Sequence, residues 1–358
     1  MTEPCPQTVI APAVSPKSLL KNYLAPMKAI IPVAGKGVRL RPLTYTQPKP
    51  LIPVAGKPII SFIMEQLIEL GVEDFIFIIG YLGEKIREYI ERTYPELSTT
   101  FVTQEDRMGS AHAIWLARDH YADADELIIF FGDAIIDADL EAFRDSNVSC
   151  LGVKIVDDPR KFGVVEKDED GRIRGLIEKP KIPKSNLAMV GCYKIREVSQ
   201  FIDACAYNLD NNIKSIGEYP LTDALARMLE WGTELSTLTV DNWFDCGRRE
   251  VLLETNAIFL DREGFATDDP PPFDNSIIIH PVNIGPDCKI SNSIVGPYVT
   301  LGANTRLEHA IVSDSIIGDY ASIHDIVLRN SVVGSDASIG GLRQSLNIGD
   351  NTEIDFGG

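Results

Sequence analysis

A six-residue apolar repeat in the C-terminal part of the chain limits the possible folds more than any other feature. Aliphatic residues recur there every six positions, and glycine or a small polar residue often follows them. The recurring positions are Ile284 and Ile290; Val295, Leu301 and Leu307; Ile317 and Ile323; Val333 and Ile339; and Ile348 and Ile354. A period of six with many β-branched aliphatics is the hexapeptide signature of a parallel β-helix, whose aliphatics stack inwards. A generic β meander is the simpler alternative.

Upstream of this repeat, the chain alternates between strand-like and helix-like patterns. Apolar runs predict strands at 75–79, 126–131 and 150–156, and helical spacing predicts helices at 59–70, 84–94 and 111–120. This alternation predicts an α/β fold, with a Rossmann-like, mostly parallel sheet and helices on both of its faces. Ligands bind such sheets beyond the carboxyl ends of the strands, so we look for a site in the loops that follow strands.

Two changes of composition divide the chain. Residues 1–26 contain five prolines and no periodic pattern, which predicts a disordered N-terminal extension. Residues 263–274 contain three successive prolines and several acidic residues, which predicts a linker. We therefore expect the α/β domain over 27–262 and the hexapeptide-repeat β-helix over 275–358.

The composition excludes several classes of function. The chain of 358 residues is 44% hydrophobic and 24% charged, and its net charge of −18 argues against a surface for nucleic acid or anionic membranes. Its six cysteines are scattered without a Cys-x-x-Cys pair, which predicts reduced thiols rather than disulfides or a zinc site. No apolar run approaches the roughly 20 residues that span a bilayer, and no secretory signal is recognisable. We therefore expect a cytoplasmic protein.

A strand predicted at 30–33 leads into a loop that is rich in glycine and cations. The loop carries Gly35, Gly37, Arg39 and Lys49, and a helical pattern begins after it. Glycines let the backbone approach a phosphate, peptide N–H groups donate to its oxygens, and cations neutralise its charge. The loop therefore predicts a polyphosphate site, although it lacks the Gly-Lys-Ser/Thr of a Walker A loop. Alternatively, its cations are ordinary surface side chains.

Two aspartates follow apolar runs and suit a metal ion. Asp133 comes just after the run at 126–131, and Asp245 follows Trp243 and Phe244. Mg²⁺ is usually held by one or two carboxylates together with substrate phosphates, so both residues are candidate Mg²⁺ ligands. The sequence does not show that they meet, and a helix N-cap is the alternative role for Asp133.

Two further segments have side chains suited to a sugar phosphate and to a base. Glu178 suits hydrogen bonds to sugar hydroxyls and Lys179 suits a phosphate monoester, with Gly163 upstream in a Phe-Gly-Val segment. The amide of Gln104, five residues before Gly109, can read the donor and acceptor of a pyrimidine edge. The alternatives are an exposed ion pair and an ordinary surface glutamine.

Taken together, these segments resemble the sugar-1-phosphate nucleotidylyltransferase family. The opening MKAIIPVAGKGVRLRPLTYTQPKPLIPVAGKP is similar to the family's signature loop. The later segments follow in the family's order, at 104–113, 132–133, 162–165, 178–180, 185–193 and 243–247. The resemblance covers residues 27–261 and marks this domain as catalytic. The hexapeptide tail is similar to the left-handed β-helix of long-form glucose-1-phosphate thymidylyltransferases.

The resemblance implies a reaction and roles for the site residues. A sugar-1-phosphate oxygen would attack the α-phosphorus of dTTP or UTP in line and release pyrophosphate, so that positioning and charge neutralisation suffice. The implied catalytic residues are Arg39, Lys49 and Lys179. The implied contacts are Gly35 and Gly37 with the nucleotide, Gln104 and Gly109 with the base, Gly163, Glu178 and Lys179 with the sugar phosphate, and Asp133 and Asp245 with Mg²⁺.

Several positions depart from the family pattern. Val38 stands where Thr is usual, Ala134 where thymidylyltransferases commonly have Asn, and Pro50 where many of them have Gln. Ile216 stands where Arg often precedes Gly-Glu, so Lys214 is a candidate replacement for that cation. These departures leave the choice between dTTP and UTP open.

Two other functions compete with nucleotidyl transfer. One is that of a catalytically silent homologue that binds a nucleotide sugar, and the retained Arg39, Lys49 and Asp133 argue against it. The other is acyl transfer by the β-helix, with His309 and His324 as candidate bases, although both residues also suit turns. Because the flat faces of a β-helix are suited to self-association, we also expect a homo-oligomer with the β-helix at its contacts.

Overall fold

The computed structural model describes residues 27–341, and this part of the chain divides into two compact units that are described separately. Unit 1 contains residues up to Ala34, Ile63–Gly132 and Ile136–Trp243, and unit 2 contains Gly35–Phe62, Asp133–Ile135 and residues from Phe244 onwards. The extension predicted at 1–26 and the last aliphatic pair of the repeat, Ile348 and Ile354, lie outside the described residues. The domain limits drawn at 262 and 274 stay predictions.

Strands and helices alternate along residues 27–260. The strands are β1 (Met27–Pro32), β2 (Pro53–Val54), β3 (Lys57–Pro58), β4 (Asp74–Ile79), β5 (Ser98–Thr103), β6 (Glu126–Phe130), β7 (Ile135–Asp137), β8 (Ser149–Ile155), β9 (Gly163–Lys167), β10 (Ile173–Glu178), β11 (Leu187–Ile195), β12 (Leu235–Thr239) and β13 (Asn242–Phe244). The α-helices are α1 (Ile59–Glu69), α2 (Gly83–Thr93), α3 (Ser110–Leu116), α4 (Leu140–Arg144), α5 (Val198–Asp210), α6 (Leu221–Glu230) and α7 (Arg249–Leu260).

The strand predicted at 30–33 corresponds to β1, which begins three residues earlier, at Met27. Three other predicted strands and two of the predicted helices are confirmed within one residue at each end. They correspond to β4, β6, β8, α1 and α2. The helix predicted at 111–120 is shorter, because α3 ends at Leu116 and a 3₁₀ turn follows at Arg118–His120. The hydroxyl of Tyr121 donates to the carbonyl oxygen of Ile114 at 3.0 Å, a carbonyl that a continuing α-helix would pair with residue 118.

Unit 1 is built on a Rossmann-like sheet with the strand order β10-β9-β11-β6-β1-β4-β5, and β8 pairs with both β11 and β12. β5, β4, β1 and β6 are parallel neighbours, as predicted. The rest of the sheet is mixed, because β11 runs antiparallel to β6, β8 and β9. β9 and β10 are also antiparallel, since the short connection at 168–172 cannot hold the crossover helix that parallel pairing needs.

The parallel strands form the core of unit 1. Ile30, Ile76, Ile78, Leu127 and Ile129 are all 0–1% exposed and belong to one apolar cluster. Burial on both faces of the sheet explains why these strands read as continuous apolar runs rather than as alternating patterns. Two predicted site residues, Gln104 and Asp133, accordingly lie just after β5 and β6 rather than within them.

Unit 2 contains a stack of short parallel strands over residues 277–340, called the coil stack below. They are β14 (Ile277–Ile278), β15 (Val282–Ile284), β16 (Lys289–Ser291), β17 (Ile294–Val295), β18 (Val299–Leu301), β19 (Arg306–Ser313), β20 (Ser315–Ile317), β21 (Ser322–Arg329), β22 (Val332–Val333) and β23 (Ser338–Gly340). One sheet has the order β14-β17-β19-β21-β23, with β16 also on β19, and another has β15-β18-β20-β22. Ile277 pairs with Ile294, Ile294 with Ile311 and Ile311 with Val327, so one coil takes 17 or 16 residues.

The aliphatics of the predicted hexapeptide pattern lie inside this stack. Within the described residues, all of them, from Ile284 to Ile339, belong to one apolar cluster or pack against it. Left-handed backbone angles recur one coil apart at Asn292, His309 and Asp325, with φ of 49°, 50° and 54°. His309 therefore lies at a bend within β19. The parallel stacks are consistent with a β-helix, and its left-handedness stays a prediction.

The described cysteines are free thiols, as predicted. Cys150, Cys192, Cys205 and Cys246 are buried and Cys288 is half-buried. Along residues 27–341, no helix has both the length and the apolar character needed to cross a bilayer.

Candidate functional site

The glycine-rich loop after β1 belongs to unit 2 and contains three short 3₁₀ turns, at Val38–Leu40, Leu43–Tyr45 and Lys49–Leu51. Gly37 has a φ of 59°, and a Cβ added there would lie 2.9 Å from the Thr44 methyl group. The Thr44 hydroxyl also donates to the carbonyl oxygen of Gly37 at 2.8 Å. Gly35 differs, because a Cβ there would meet no atom within 4 Å. Packing therefore requires glycine at position 37 but leaves the space beside Gly35 open.

Lys49 brings two predicted metal ligands together. Its Nζ lies 2.9 Å from Oδ2 of Asp133 and 3.5 Å from Oδ1 of Asp245, although these residues are far apart in sequence. The Lys49 side chain is only 7% exposed, whereas those of Asp133 and Asp245 are 51% and 24% exposed. Arg39 approaches the other oxygen of Asp245, with its Nη2 3.7 Å from Oδ2. Four predicted site residues thus form one charged group within unit 2.

The donor set of this charged group fits a divalent cation that is shared with phosphates. Two carboxylates that reach the same ammonium supply hard oxygen ligands, and Mg²⁺ completes such a set with water and phosphate oxygens. Among residues 27–341, no three His, Cys, Asp or Glu side chains converge as a metal site made by protein alone. Asp133 and Asp245 are therefore the residues that could hold the metal ion.

Gly247 allows Arg39 to approach Asp245, and the sequence analysis missed it. The chain turns tightly after β13, where the N–H of Gly247 donates to the carbonyl oxygen of Asp245 at 2.6 Å. A Cβ at Gly247 would lie 2.5 Å from Nη2 of Arg39 and 2.9 Å from Oδ1 of Asp245. The only local signal was a glycine two residues after the aspartate.

The thiol of Cys246 lies among these charges without joining them. Its side chain is buried, and Sγ lies 3.9 Å from the hydroxyl of Thr255. Burial raises the pKa of Cys246 to about 12, against the opposing effect of the Lys49 ammonium. The thiol is therefore protonated at neutral pH and is a poor nucleophile.

The predicted base-binding residues lie in unit 1, just beyond β5. Gln104 is buried, and its Nε2 lies 3.2 Å from the carbonyl oxygen of Gly109 and 3.1 Å from Nδ1 of His112. Gly109 has a φ of 114°, and a Cβ there would lie 2.3 Å from the carbonyl oxygen of Tyr219. Gln104 and Gly109 are thus in contact. The sequence analysis missed His112, whose only signal was a polar residue on the buried side of α3.

The predicted sugar-phosphate residues also lie in unit 1. Gly163 and Glu178 are cross-strand partners in the β9–β10 hairpin. Oε1 of Glu178 lies 3.1 Å from Nζ of Lys179, and its Oε2 accepts a hydrogen bond from the Thr222 hydroxyl at 2.6 Å. A Cβ at Gly163 would lie 2.6 Å from that hydroxyl oxygen, so glycine leaves room for the Glu178–Thr222 pair. Thr222 was not among the predicted site residues.

Asp223, next to Thr222, has an oxygen with no partner. Ser215 donates to its Oδ1 at 3.1 Å, whereas Oδ2 is buried without a hydrogen bond. Burial, with a smaller effect of the Glu178 charge, raises the pKa of Asp223. Lys214, the candidate replacement cation, lies over the Tyr219 ring at 4.9 Å, and Ile216 is exposed.

Comparisons with known proteins identify the family of this chain. A family described as nucleotidyl transferase matches residues 28–262. The chain is 30% identical to glucose-1-phosphate thymidylyltransferase of Streptomyces antibioticus, over 89% of this chain and 90% of that protein. It is also 30% identical to the low-salt glycan biosynthesis nucleotidyltransferase Agl11 of Haloferax volcanii, over 88% of this chain and 94% of that protein.

A solved structure shares the fold. UDP-glucose pyrophosphorylase complexed with UDP-glucose superposes on 65% of this chain and 98% of its own, with a TM-score of 0.57 and 21% identity. At this level of identity, the likeness shows the fold alone.

Proposed function

Because the chain belongs to the sugar-1-phosphate nucleotidyltransferase family of enzymes, we propose that it transfers a nucleotidyl group from dTTP or UTP to a sugar 1-phosphate. Glucose 1-phosphate is the first candidate acceptor, and the products would be a dTDP- or UDP-sugar and pyrophosphate. The observation that carries the proposal is the contact of Lys49 with both Asp133 and Asp245. A cation beside two carboxylates is the arrangement that a metal-bound triphosphate needs.

The reaction is an in-line displacement. An oxygen of the sugar phosphate forms a bond to the α-phosphorus while the bond from that phosphorus to the bridging oxygen of pyrophosphate breaks. Lys49 would stabilise the charge that develops on the α-phosphate, and Arg39 would bind the departing phosphates. Asp133 and Asp245 would hold Mg²⁺, which, when bound, neutralises phosphate charge and orients the leaving group.

Unit 1 supplies the residues that we assign to the sugar phosphate and the base. Glu178 would accept hydrogen bonds from sugar hydroxyls and Lys179 would bind the phosphate monoester. The Glu178–Thr222 hydrogen bond, 2.6 Å long, holds that carboxylate in one orientation. Gln104 and Gly109 would contact the base.

The two competing functions have less support. A silent homologue would be expected to have lost Lys49 or one of its carboxylates, whereas here all three residues are in contact. Acyl transfer would need a base in the coil stack, and one of its two candidates, His309, stands at a bend of β19 with a φ of 50°.

The test is a substrate panel. The purified full-length protein is mixed with dTTP, UTP, CTP or GTP and with each of several sugar 1-phosphates in Mg²⁺, and released pyrophosphate is measured. We expect release with dTTP or UTP and its loss on chelation of the metal. No pyrophosphate from any pair would overturn the proposal.

We also propose that the protein is a cytoplasmic homo-oligomer that associates through the coil stack. Ile277, Ile311 and Val327 form part of one in-register ladder and are 59%, 44% and 68% exposed. An exposed ladder of β-branched residues can be covered by a second copy. Light scattering of Val327→Lys should show a smaller species than wild type, and an unchanged mass would exclude this face. The free thiols suit a reducing compartment.

A further inference from the structure

The Gln104 amide has one orientation that its neighbours allow. The carbonyl oxygen of Gly109 lies 3.2 Å from one terminal atom of this amide. A carbonyl oxygen can only accept a hydrogen bond, so the atom that faces it is the NH₂ group. The side chain oxygen, Oε1, is therefore turned away from Gly109.

This orientation determines the tautomer of His112. The same NH₂ group lies 3.1 Å from Nδ1 of His112. Since the amide nitrogen has only hydrogens to offer, Nδ1 must be the unprotonated acceptor, and the neutral ring carries its proton on Nε2. His112 is 6% exposed, and burial lowers its pKa, whereas the Asp106 charge has the smaller, opposing effect. The lowered pKa favours the neutral ring.

Oε1 of Gln104 is the amide atom left for a ligand. Within residues 27–341, it makes no hydrogen bond, and it is not among the fully buried unpaired atoms. The Gly109 carbonyl oxygen and Nδ1 of His112 thus hold the NH₂ group inwards, and Oε1 is the acceptor that this amide offers to a ligand.

We propose that His112 is a positioning residue for base selection. It holds the Gln104 amide with Oε1 outwards, so that the site takes a pyrimidine with an N3–H donor, thymine or uracil, and refuses cytosine, whose N3 is an acceptor. This inference rests on the proposed function and on the assignment of Gln104 to the base. An acceptor that faces N3 leaves two lone pairs opposed when cytosine enters in the same register as uracil, and such a mismatch discriminates strongly.

Removal of the His112 acceptor tests the proposal. In His112→Phe the ring volume is kept, but the amide loses one of its two acceptors, so that only the Gly109 carbonyl oxygen holds the NH₂ group inwards and the amide reverses more readily. We expect the ratio of kcat/KM for CTP to that for UTP to rise about tenfold or more, mainly through a higher KM for UTP. His112→Asn restores an acceptor near the Nδ1 position and should return the ratio towards wild type. His120→Phe, which changes an exposed histidine, is the matched control.

A measurement on the wild-type protein keeps the proposal testable if a variant fails to fold. Histidine ¹⁵N spectra distinguish the two neutral tautomers, and the His112 signals are those that vanish in His112→Asn. The Nε2–H tautomer at neutral pH is the expected result. The Nδ1–H tautomer or an imidazolium would overturn the inference whatever the activity, as would an unchanged CTP-to-UTP ratio in folded His112→Phe. Absence of pyrophosphate from all substrates would instead overturn the proposed function.

Discussion

The charged group of unit 2 and the Gln104 contacts of unit 1 use different chemistry. In unit 2, Lys49 and Arg39 contact Asp133 and Asp245, so every member carries a charge that another compensates. In unit 1, the contacts of Gln104 are hydrogen bonds between uncharged groups. Loss of one charge leaves its partners uncompensated, whereas loss of a neutral hydrogen bond chiefly frees an orientation. The charged group therefore suits phosphate and metal, and the neutral contacts suit recognition of a base.

Lys49→Met should have the largest effect. The substitution keeps the long side chain but removes the charge that approaches both carboxylates, so we expect kcat to fall by about 10²–10³-fold. Steady-state pyrophosphate release measures this. Lys289→Met, an exposed lysine of the same unit, is the matched control and should retain wild-type activity. A kcat within threefold of wild type would show that the reaction does not need the charge of Lys49.

Gly163→Ala should weaken the sugar phosphate without affecting the nucleotide. The new methyl group would fall 2.6 Å from the Thr222 hydroxyl and 3.2 Å from Oε2 of Glu178, which displaces both. We expect KM for the sugar 1-phosphate to rise about tenfold. Gly175→Ala is the control, because its methyl group would meet only Glu166, at 3.8 Å. If Gly163→Ala lowered the melting temperature but left KM for the sugar 1-phosphate unchanged, Glu178 would not be a sugar ligand.

Gly35→Ala should reveal whether the open space beside that residue belongs to the nucleotide. Because no atom lies within 4 Å of the added methyl group, the melting temperature should not change. If a phosphate approaches the backbone there, KM for the nucleotide should rise several-fold, roughly three to ten times. An unchanged KM would remove Gly35 from the site.

The Cys246 thiol should not react with an alkylating reagent in the folded protein. Its pKa of about 12 means that the thiolate is absent at neutral pH, since a raised pKa keeps the proton on sulfur until the solution is strongly alkaline. Treatment of the folded protein with iodoacetamide, followed by peptide mapping, should leave Cys246 unmodified, and the same treatment in urea should modify it. Rapid alkylation in the folded protein would show that the charged group activates its neighbour.

The sequence predicted three of the four parallel neighbours, β1, β4 and β6, for a physical reason. Strands buried on both faces read as apolar runs, and Asp133 closely follows such a run, whereas Lys49 lies further along the loop after another. The antiparallel direction of β11 could not be read, because its apolar run is like those of the parallel strands. His112 and Gly247 were missed because their roles depend on residues that the fold brings near. The contact of Lys49 with Asp245 likewise joins residues that no local pattern relates.

The coil stack has a consequence for how this chain can change in length. Each strand of a coil sits in register on the equivalent strand 16 or 17 residues away, as Val282 does on Val299 and Val299 on Ser315. A whole coil is therefore a repeating unit, or rung, whose two edges pair with the edges of its neighbours. Insertions and deletions of one rung preserve every pairing, whereas changes of a few residues break several. Related chains that carry such a stack should therefore differ in length by whole rungs, each of 16 or 17 residues.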